Sequence, residues 1–533
     1  MPYAQQTNLE GSLQWALYEA QEGDTVDLRE LDEEITIDAD FIQFKSGTDN
    51  ITLLGKQDEL SGGPLTVINA KETKGGFGGA IFIDAANQVS LINLVIINAY
   101  QSGIAVTKSN GFNVQNCYVG VDFNGMNAPN CRTVPTDAHV WSGVNSYDSF
   151  SSGERVDAAG ITIKDSYGFT INNSVISGNN GFGINISSPE LSRPSSYISN
   201  CLIGISPDSN AVKGNFAEGI NISSSANIYI ENSIIAGNGN RSAFLGGDPL
   251  GGPQTGAQTS NMRGNGISIY NSQNIEIHGN FIGLSPKNYS KKDSYENYFG
   301  NHLNGISING SRNIIIGSCE NGNVIANNGF AFGDVHTSDS NPVSGTYFYG
   351  ERSGVFIEES GDSVVNLLLE GNSIGINEND ELFENGSNAI LMFCFLNGYR
   401  DVNLGSELCG NSIAYKDYGI QFLGQKIGNT TVRMNRFIGE TANKFDFVGG
   451  ADPSSVKVED NVITNEEEII SNFSFYPNPV SDFIFFTETK NWMLSSLHGK
   501  KYFGTSSNID LSYFSSGVYI LCVESINYRI VKL

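Results

Sequence analysis

Basic residues are scarce in this chain: 30 Lys and Arg stand against 57 Asp and Glu, a formal charge of −27 over 533 residues. That excludes nucleic acid as a partner, because phosphate binding needs clustered Lys and Arg. Anionic lipid is disfavoured on the same ground, and an acidic glycan is repelled unless divalent cations bridge it to surface acids. Long apolar runs are missing too, with no stretch near the about 18 residues that a membrane-crossing helix needs. Cysteine is sparse and odd, 7 in all, so at least one is unpaired within the chain. Cys117 and Cys201 hold the same place in two repeats with one repeat between them, which sets their backbones about 9.5 Å apart. A disulfide cannot span that distance. Both are expected as small fillers of an interior stack, and the pairing of the other cysteines stays open.

What is abundant is glycine, 61 residues, recurring with Asn, Ser and Ile. Gly and Asn tolerate left-handed backbone angles, so the mixture suits short strands with frequent tight corners. A small residue followed by an apolar-x-apolar triplet recurs ten times, from Ala80-Ile81-Phe82-Ile83 through Gly183-Ile184-Asn185-Ile186 to Gly419-Ile420-Gln421-Phe422. Each copy is followed by a polar corner and a second alternating strand such as Asn274-Ile275-Glu276-Ile277. An Asn-rich corner and a third strand ending near Ile-Gly complete the repeat, as in Asn280-Phe281-Ile282-Gly283. Three short strands in about 22 residues describe one coil of a triangular solenoid. No single coil buries its inward Ile side chains, so each relies on the coils above and below. Earlier segments add two or three coils, for a rod roughly 55–60 Å long at about 4.8 Å per coil. Leu9, Leu13, Ala16, Leu17 and Ala20 follow helical spacing with Gly23 as a stop, which predicts a capping helix over the first coil. The Asn corners, including Asn116, Asn173, Asn200 and Asn232, are expected to form an amide ladder along the axis.

Ile-Gly, a polar run, Asn and then Gly-Ile, as in Val119-Gly120-Val121-Asp122-Phe123-Asn124-Gly125 through Pro129-Asn130, resembles a repeat of bacterial extracellular β-helix proteins of the pectin-lyase-like superfamily. The opening LEGSLQWALYEAQEGDTVDL is similar to their N-terminal cap. The resemblance spans about residues 9–445 and implies an all-β, right-handed parallel β-helix. It licenses no reaction, since members include lyases, hydrolases, epimerases and adhesins.

After Asn465 the pattern changes. An acidic linker, 466–472, leads to Phe473-Ser474-Phe475-Tyr476-Pro477-Asn478-Pro479-Val480-Ser481-Asp482, and further short strands continue to Leu533. About 65 residues of this kind read as a small Ig-like antiparallel β-sandwich. YPNPVSD, a hydrophobic strand, a Gly-Lys turn, IDLS…SSGVYIL and a basic-apolar terminus together resemble the type A C-terminal sorting domain of type IX secretion in Bacteroidetes. The resemblance assigns the signal to Tyr476, Pro477, Asn478, Pro479, Gly499, Gly517 and Lys532. It implies the type IX secretion machinery as partner and a secreted or outer-surface location. Met1–Asn8 has neither the basic run nor the apolar core of a secretory leader, so one is expected to have been removed, omitted or lost to a misassigned start. The division expected is 1–24 cap, 25–465 β-helix, 466–472 linker and 473–533 sorting domain, in a monomer.

The longer repeats carry extra residues at one place, before the small-apolar-x-apolar triplet, at about 122–158, 206–217, 240–264, 284–303 and 332–352. Stacked in register, they wall one edge of the rod, and in repeat proteins such an edge often binds. Trp141, Tyr147, Tyr295, Tyr298, Tyr347 and Tyr349 are the candidate glycan contacts, since aromatic faces stack on sugar rings. A lyase or epimerase needs a base beside the uronate carboxyl and a cation to neutralise it. His139 or His302 with Arg155 or Arg352 would supply these roles. No polygalacturonase signature occurs, and although Tyr167-Gly168-Phe169 resembles the start of a mannuronan-epimerase motif, Thr170-Ile171 replaces the Asp-Pro-His that should follow. No metal ligand set is assigned, although the oxygen-rich turn Asn377-Glu378-Asn379-Asp380-Glu381 has the chemistry to gather Ca²⁺. Two readings follow, a surface protein that binds glycan or another surface component through its loop edge, and a secreted polysaccharide lyase, epimerase or hydrolase.

Overall fold

In the computed structural model, three long parallel sheets run the length of residues 25–464. The structure describes residues 11–464 except 32–33, 38–40, 45, 72–78, 100, 127–129, 131–158, 190–191, 240–263, 288–298, 330–351, 360–363, 395–397, 425–426 and 440–443, and in the tail 475–476, 483–496, 501–515, 517–523 and 526–532. Sheet A has thirteen strands from Thr25–Asp27 to Val456–Glu459, sheet B thirteen from Ile35–Thr36 to Val462–Thr464, and sheet C twelve from Ile42–Gln43 to Phe445–Val448. Every strand pairs with those one coil before and after it, so the chain is a right-handed parallel β-helix of thirteen coils. At about 4.8 Å per coil the rod is roughly 60 Å long.

All ten small-apolar-x-apolar triplets lie in sheet C. Their inward positions stack as Ile186, Ile222, Ile269, Ile308 and Ile357, each fully buried. Helix α1 (Leu13–Glu19) covers the first coil with Leu17, while the Gln14 amide donates to Gln43 O (3.0 Å) and accepts from Gln43 N (2.7 Å). One side chain thus satisfies both backbone groups of an otherwise open edge strand. The helix stops at Ala20, ahead of Gly23, which instead turns with φ +87° and bonds Asp49 O.

Each corner buries its own polar column. Between sheets C and A it is serine, with Ser109, Ser166, Ser188, Ser225, Ser272 and Ser311 relaying bonds from coil to coil. Between A and B it begins with Cys117, Ser174, Cys201 and Ser233 and continues as Asn280, Asn323, Asn372, Asn411 and Asn435. Cys117 and Cys201 are therefore separated by a serine, both unpaired, and burial pushes each thiol up to about 12. The expected amide ladder needs a correction. All four are left-handed corners (φ +49° to +54°) just before this buried column; Asn116 bonds Asn93 and Asn173, whereas Asn200 Nδ2 donates to Asn172 at 3.5 Å, so the ladder does not run through Asn173, Asn200 and Asn232 in turn.

Between B and C runs a column made of asparagine throughout, Asn130, Asn179, Asn215, Asn238, Asn301, Asn328 and Asn385, at most 1% exposed. Each amide donates to the next at 2.9–3.1 Å. A Cβ on Gly204 would lie 2.5 Å from Asn238 Oδ1, and one on Gly219 would lie 2.7 Å from its Nδ2. The two glycines of the Ile-Gly…Asn…Gly-Ile repeat therefore make the slot that holds the amide.

Cys319 and Cys409, of the undecided group, form a disulfide 90 residues apart in sequence, joining the A–B corners of two coils across the short corner at Glu370-Gly371. Reduction is expected to cost about 2–4 kcal/mol, read as a lower urea midpoint that Cys319→Ser reproduces and that reductant no longer moves in the variant. An unchanged midpoint would mean the bond holds nothing that stacking does not.

Residues 465–533 form a separate unit. Its described strands, Phe475–Tyr476, Phe483–Ser496, Lys501–Asp510, Gly517–Val523 and Ile526–Lys532, make one antiparallel sheet. The register shifts between Phe485 and Lys490, a bulge that bends the long strand over a core of Ile484, Leu494, Ile509, Leu521 and Ile530. Gly517 and Lys532 face each other as register partners, and Tyr476 pairs with Phe485. Pro477, Asn478, Pro479 and Gly499 lie outside the described residues.

Candidate functional site

The outward positions of sheet C, the x of each triplet, form a polar strip, the trough, in which Thr162 and Asn185 are buried (5% and 6% exposed) and Asn221, Ser268 and Ser307 half-buried. In register they run Thr162, Asn185, Asn221, Ser268 and Ser307, five coils without a charge or a bulky side chain. Four spacings make this row about 19 Å long. Phe356 follows Ser307 and, with Phe393 at 6.5 Å, closes one end. A parallel row two residues on holds Lys164, Ser187, Ser223, Tyr270, Asn309 and Glu358, with the Tyr270 side 48% exposed on the rim. Because sheet C directly follows the B–C corner, the points at which the long insertions join the coils lie along one edge of the trough. These points fall on either side of the Asn column, before Asn215 and Asn301 and after Asn130, Asn238 and Asn328.

Hydroxyls and amides of the two rows are already bonded, Thr162 to the buried Ser102 of the preceding coil and the others to row neighbours. Ser102 and Thr162 share a 2.7 Å bond, and Asn221 Nδ2 donates to Asn185 Oδ1 at 2.8 Å. Asn309 Nδ2 donates to Glu358 Oε2 at 2.8 Å, yet burial pushes the Glu358 carboxyl above its ordinary range, so it keeps its proton to higher pH. This is a surface of paired donors and acceptors suited to polyols, with one carboxyl of altered acidity at its end.

Of the loop residues singled out from sequence, His139, Trp141, Tyr147, Arg155, Tyr295, Tyr298, Tyr347 and Tyr349 lie outside the described residues. His302 and Arg352 are described and stand one coil apart on the expected edge. The backbone N–H of His302 donates to Asn238 O at 2.9 Å, and that of Arg352 to Asn304 Oδ1 at 3.0 Å. Asn377 builds its own turn, its Oδ1 accepting from Asn379 N and Glu381 N and its Nδ2 donating to Glu381, while Asp380 pairs with Arg436. That oxygen-rich segment is thus a self-bonded turn. Among the described residues the grouping with metal-ligand spacing is Cys319, Glu370 and Cys409, whose sulfurs are already joined.

Sequence reasoning passed over the trough, although its residues are the x of every quoted triplet. It also passed over a cluster on the outer face of sheet A. There Tyr197 and Tyr229 stack at 5.1 Å, Tyr229 bonds Glu276, and Glu276 bonds His278 at 3.1 Å. The signal was the register of the second strands, which only the coil length supplies.

No family model matches the chain. No curated protein matches it either. Among solved structures it is similar to the A-module of the mannuronan C-5 epimerase AlgE4 of Azotobacter vinelandii, at 11% identity over 79% of this chain and 76% of that one, TM-score 0.37. PfbA, a surface adhesin of Streptococcus pneumoniae, gives 9% identity over 94% and 91%, TM-score 0.30. The periplasmic alginate epimerase AlgG gives 12% over 80% and 78%, TM-score 0.28. The fold assignment rests on the strand register of this chain itself.

Proposed function

We propose that this is an exported glycan-binding β-helix protein, with a polysaccharide chain lying along the sheet C trough and against the insertions beside it. The observation that carries the reading is the run of small hydroxyl and amide side chains, Thr162 to Ser307, unbroken over five coils. Such a row offers repeated polar contacts at a fixed spacing, which a repeating polymer can use and a compact ligand cannot. Trp141, Tyr147, Tyr295, Tyr298, Tyr347 and Tyr349 belong to the insertions and would supply aromatic contacts. Among the described residues, no helix is long and apolar enough to cross a membrane. The disulfide fits an oxidising compartment.

Export by the type IX route is supported by the ordered elements of residues 473–533, and the tail's role is to be read by that machinery. A second reading, polysaccharide cleavage or epimerisation, draws on Glu358, whose retained proton suits a general acid, and on His302 and Arg352 at the edge. One experiment separates these. The full chain is incubated with neutral and uronate polysaccharides, with and without Ca²⁺, following retention, absorbance near 235 nm and reducing ends. Retention that Asn221→Ala with Tyr270→Ala weakens about tenfold, without new reducing ends or absorbance, supports binding. Product formation supports the second reading, and silence in every channel overturns both. For export, a chain shortened at Glu468 should stay inside the cell; its appearance outside would sink the sorting role.

A further inference from the structure

At the C–A corner, away from the insertion edge, three successive coils enclose an open depression of about 370 Å³ lined by Lys108, Asn110, Asp165, Tyr167, Pro189 and Arg193. Two of these corners span 108–112 and 165–169, while the third, 188–195, is longer. From the longer corner Pro189 and Arg193 line one wall, and 193–194 are held by the neighbouring coils. Pro194 sits on Gly168 (φ +64°), where an added Cβ would lie 3.2 Å from it, and the Arg193 carbonyl accepts from Asn227 Nδ2 at 3.1 Å. Arg193 extends over the Tyr167 ring with its Cζ 5.3 Å from the centroid. Tyr167 is fixed in turn, its N–H donating to Asn110 Oδ1 at 3.1 Å. Lys108 and Asp165 line the same hollow, one coil apart, both left-handed (φ +50° and +49°). Neither forms an ion pair with a described residue.

Two cations and one carboxylate thus line a preformed hollow on a chain in which acids outnumber bases 57 to 30. Left-handed angles favour Gly, Asn or Asp, so a lysine at position 108 is a costly choice on backbone grounds alone. Guanidinium and ammonium groups converge on carboxylates, and a carboxylate between them accepts bonds from neighbouring hydroxyls. We propose that this corner binds a single carboxylate-bearing sugar unit, its carboxylate between Lys108 and Arg193 and its ring hydroxyls donating to Asp165. The site lies on a different corner from the trough and does not depend on it, and it reconciles an acidic rod with an acidic sugar without bridging calcium.

The test is calorimetric titration of the full chain with trigalacturonate, with maltotriose as the neutral comparator. Saturable binding of the uronate alone is expected, weakened several-fold when salt rises from about 50 to 500 mM. Lys108→Asn and Asp165→Asn both keep a residue that accepts the left-handed angle, so the corner stays folded. The first should weaken binding at least tenfold and the second several-fold, whereas Lys71→Ala, remote from the corner, should change nothing. Equal affinity for maltotriose, or Lys108→Asn binding as the parent does, would overturn the proposal. Loss in Asn221→Ala with Tyr270→Ala, instead of in the corner variants, would assign uronate binding to the trough. A sulfated trisaccharide binding while trigalacturonate does not would reject the carboxylate.

Discussion

Asn301→Ala is expected to destabilise the solenoid by about 3–5 kcal/mol, far more than a surface asparagine would. Its side chain donates to Ile235 O and Asn328 Oδ1, both at 2.9 Å, and its Oδ1 accepts the backbone N–H (3.1 Å) and Nδ2 (3.0 Å) of Asn238. Alanine leaves those partners buried and unsatisfied where no solvent reaches, since Asn238, Asn301 and Asn328 are all 0% exposed. Asn301→Asp sharpens the test. It keeps the shape but, when ionised, faces Asn328 Oδ1 and Ile235 O as an acceptor against acceptors. Its folded-state pKa is then raised above the unfolded value of about 3.9. The sign follows: relative stability is greatest below the unfolded pKa and is lost as pH rises through the folded one. Urea midpoints at pH 4 and pH 7 decide it. A loss under about 1 kcal/mol for the alanine variant, or no pH dependence for the aspartate, would mean water or a shifted coil replaces the amide.

This column also shows where reading the sequence stopped. The triplets were legible because inward Ile at Ile184, Ile220, Ile267 and Ile306 repeats with a period of two inside a regular small-residue frame. Burial of apolar side chains leaves that mark wherever it acts. The Asn column leaves a fainter one, because its distance to the next triplet varies. Asn215 precedes Gly219 by four residues, while Asn238 is separated from Gly266 by a long insertion. Only coil stacking shows that they are equivalent. Cys319 and Cys409 were undecidable for a similar reason, since corners of unequal length bring them together. The trough residues were in view as the x of the triplets, but Thr, Asn and Ser there read as ordinary outward polar positions. Their continuity becomes a feature once the register places Asn185 on Asn221 and Ser268 on Ser307. The loop aromatics drew attention through their chemistry alone, and chemistry without a frame does not fix a site.

Gly204→Ala is expected to have the largest effect, above about 4 kcal/mol, because two penalties coincide. The residue sits at φ +90°, and an added Cβ would come 2.1 Å from Ala236 O as well as 2.5 Å from Asn238 Oδ1. Left-handed strain alone costs about 1 kcal/mol. Gly47→Ala isolates that part, since Gly47 is also left-handed (φ +78°) but an added Cβ meets nothing within 4 Å. The difference between the two variants reports the collision with the next coil's carbonyl and with the amide column. Stacked coils contact only their neighbours, so a wedge at Gly204 should uncouple the array there, and denaturation should split into two steps. A single transition with a loss matching Gly47→Ala would show that neighbouring coils slide to admit the methyl group. Glycine at that place would then be a matter of backbone angle, and the tight slot for the amide would lose its physical basis.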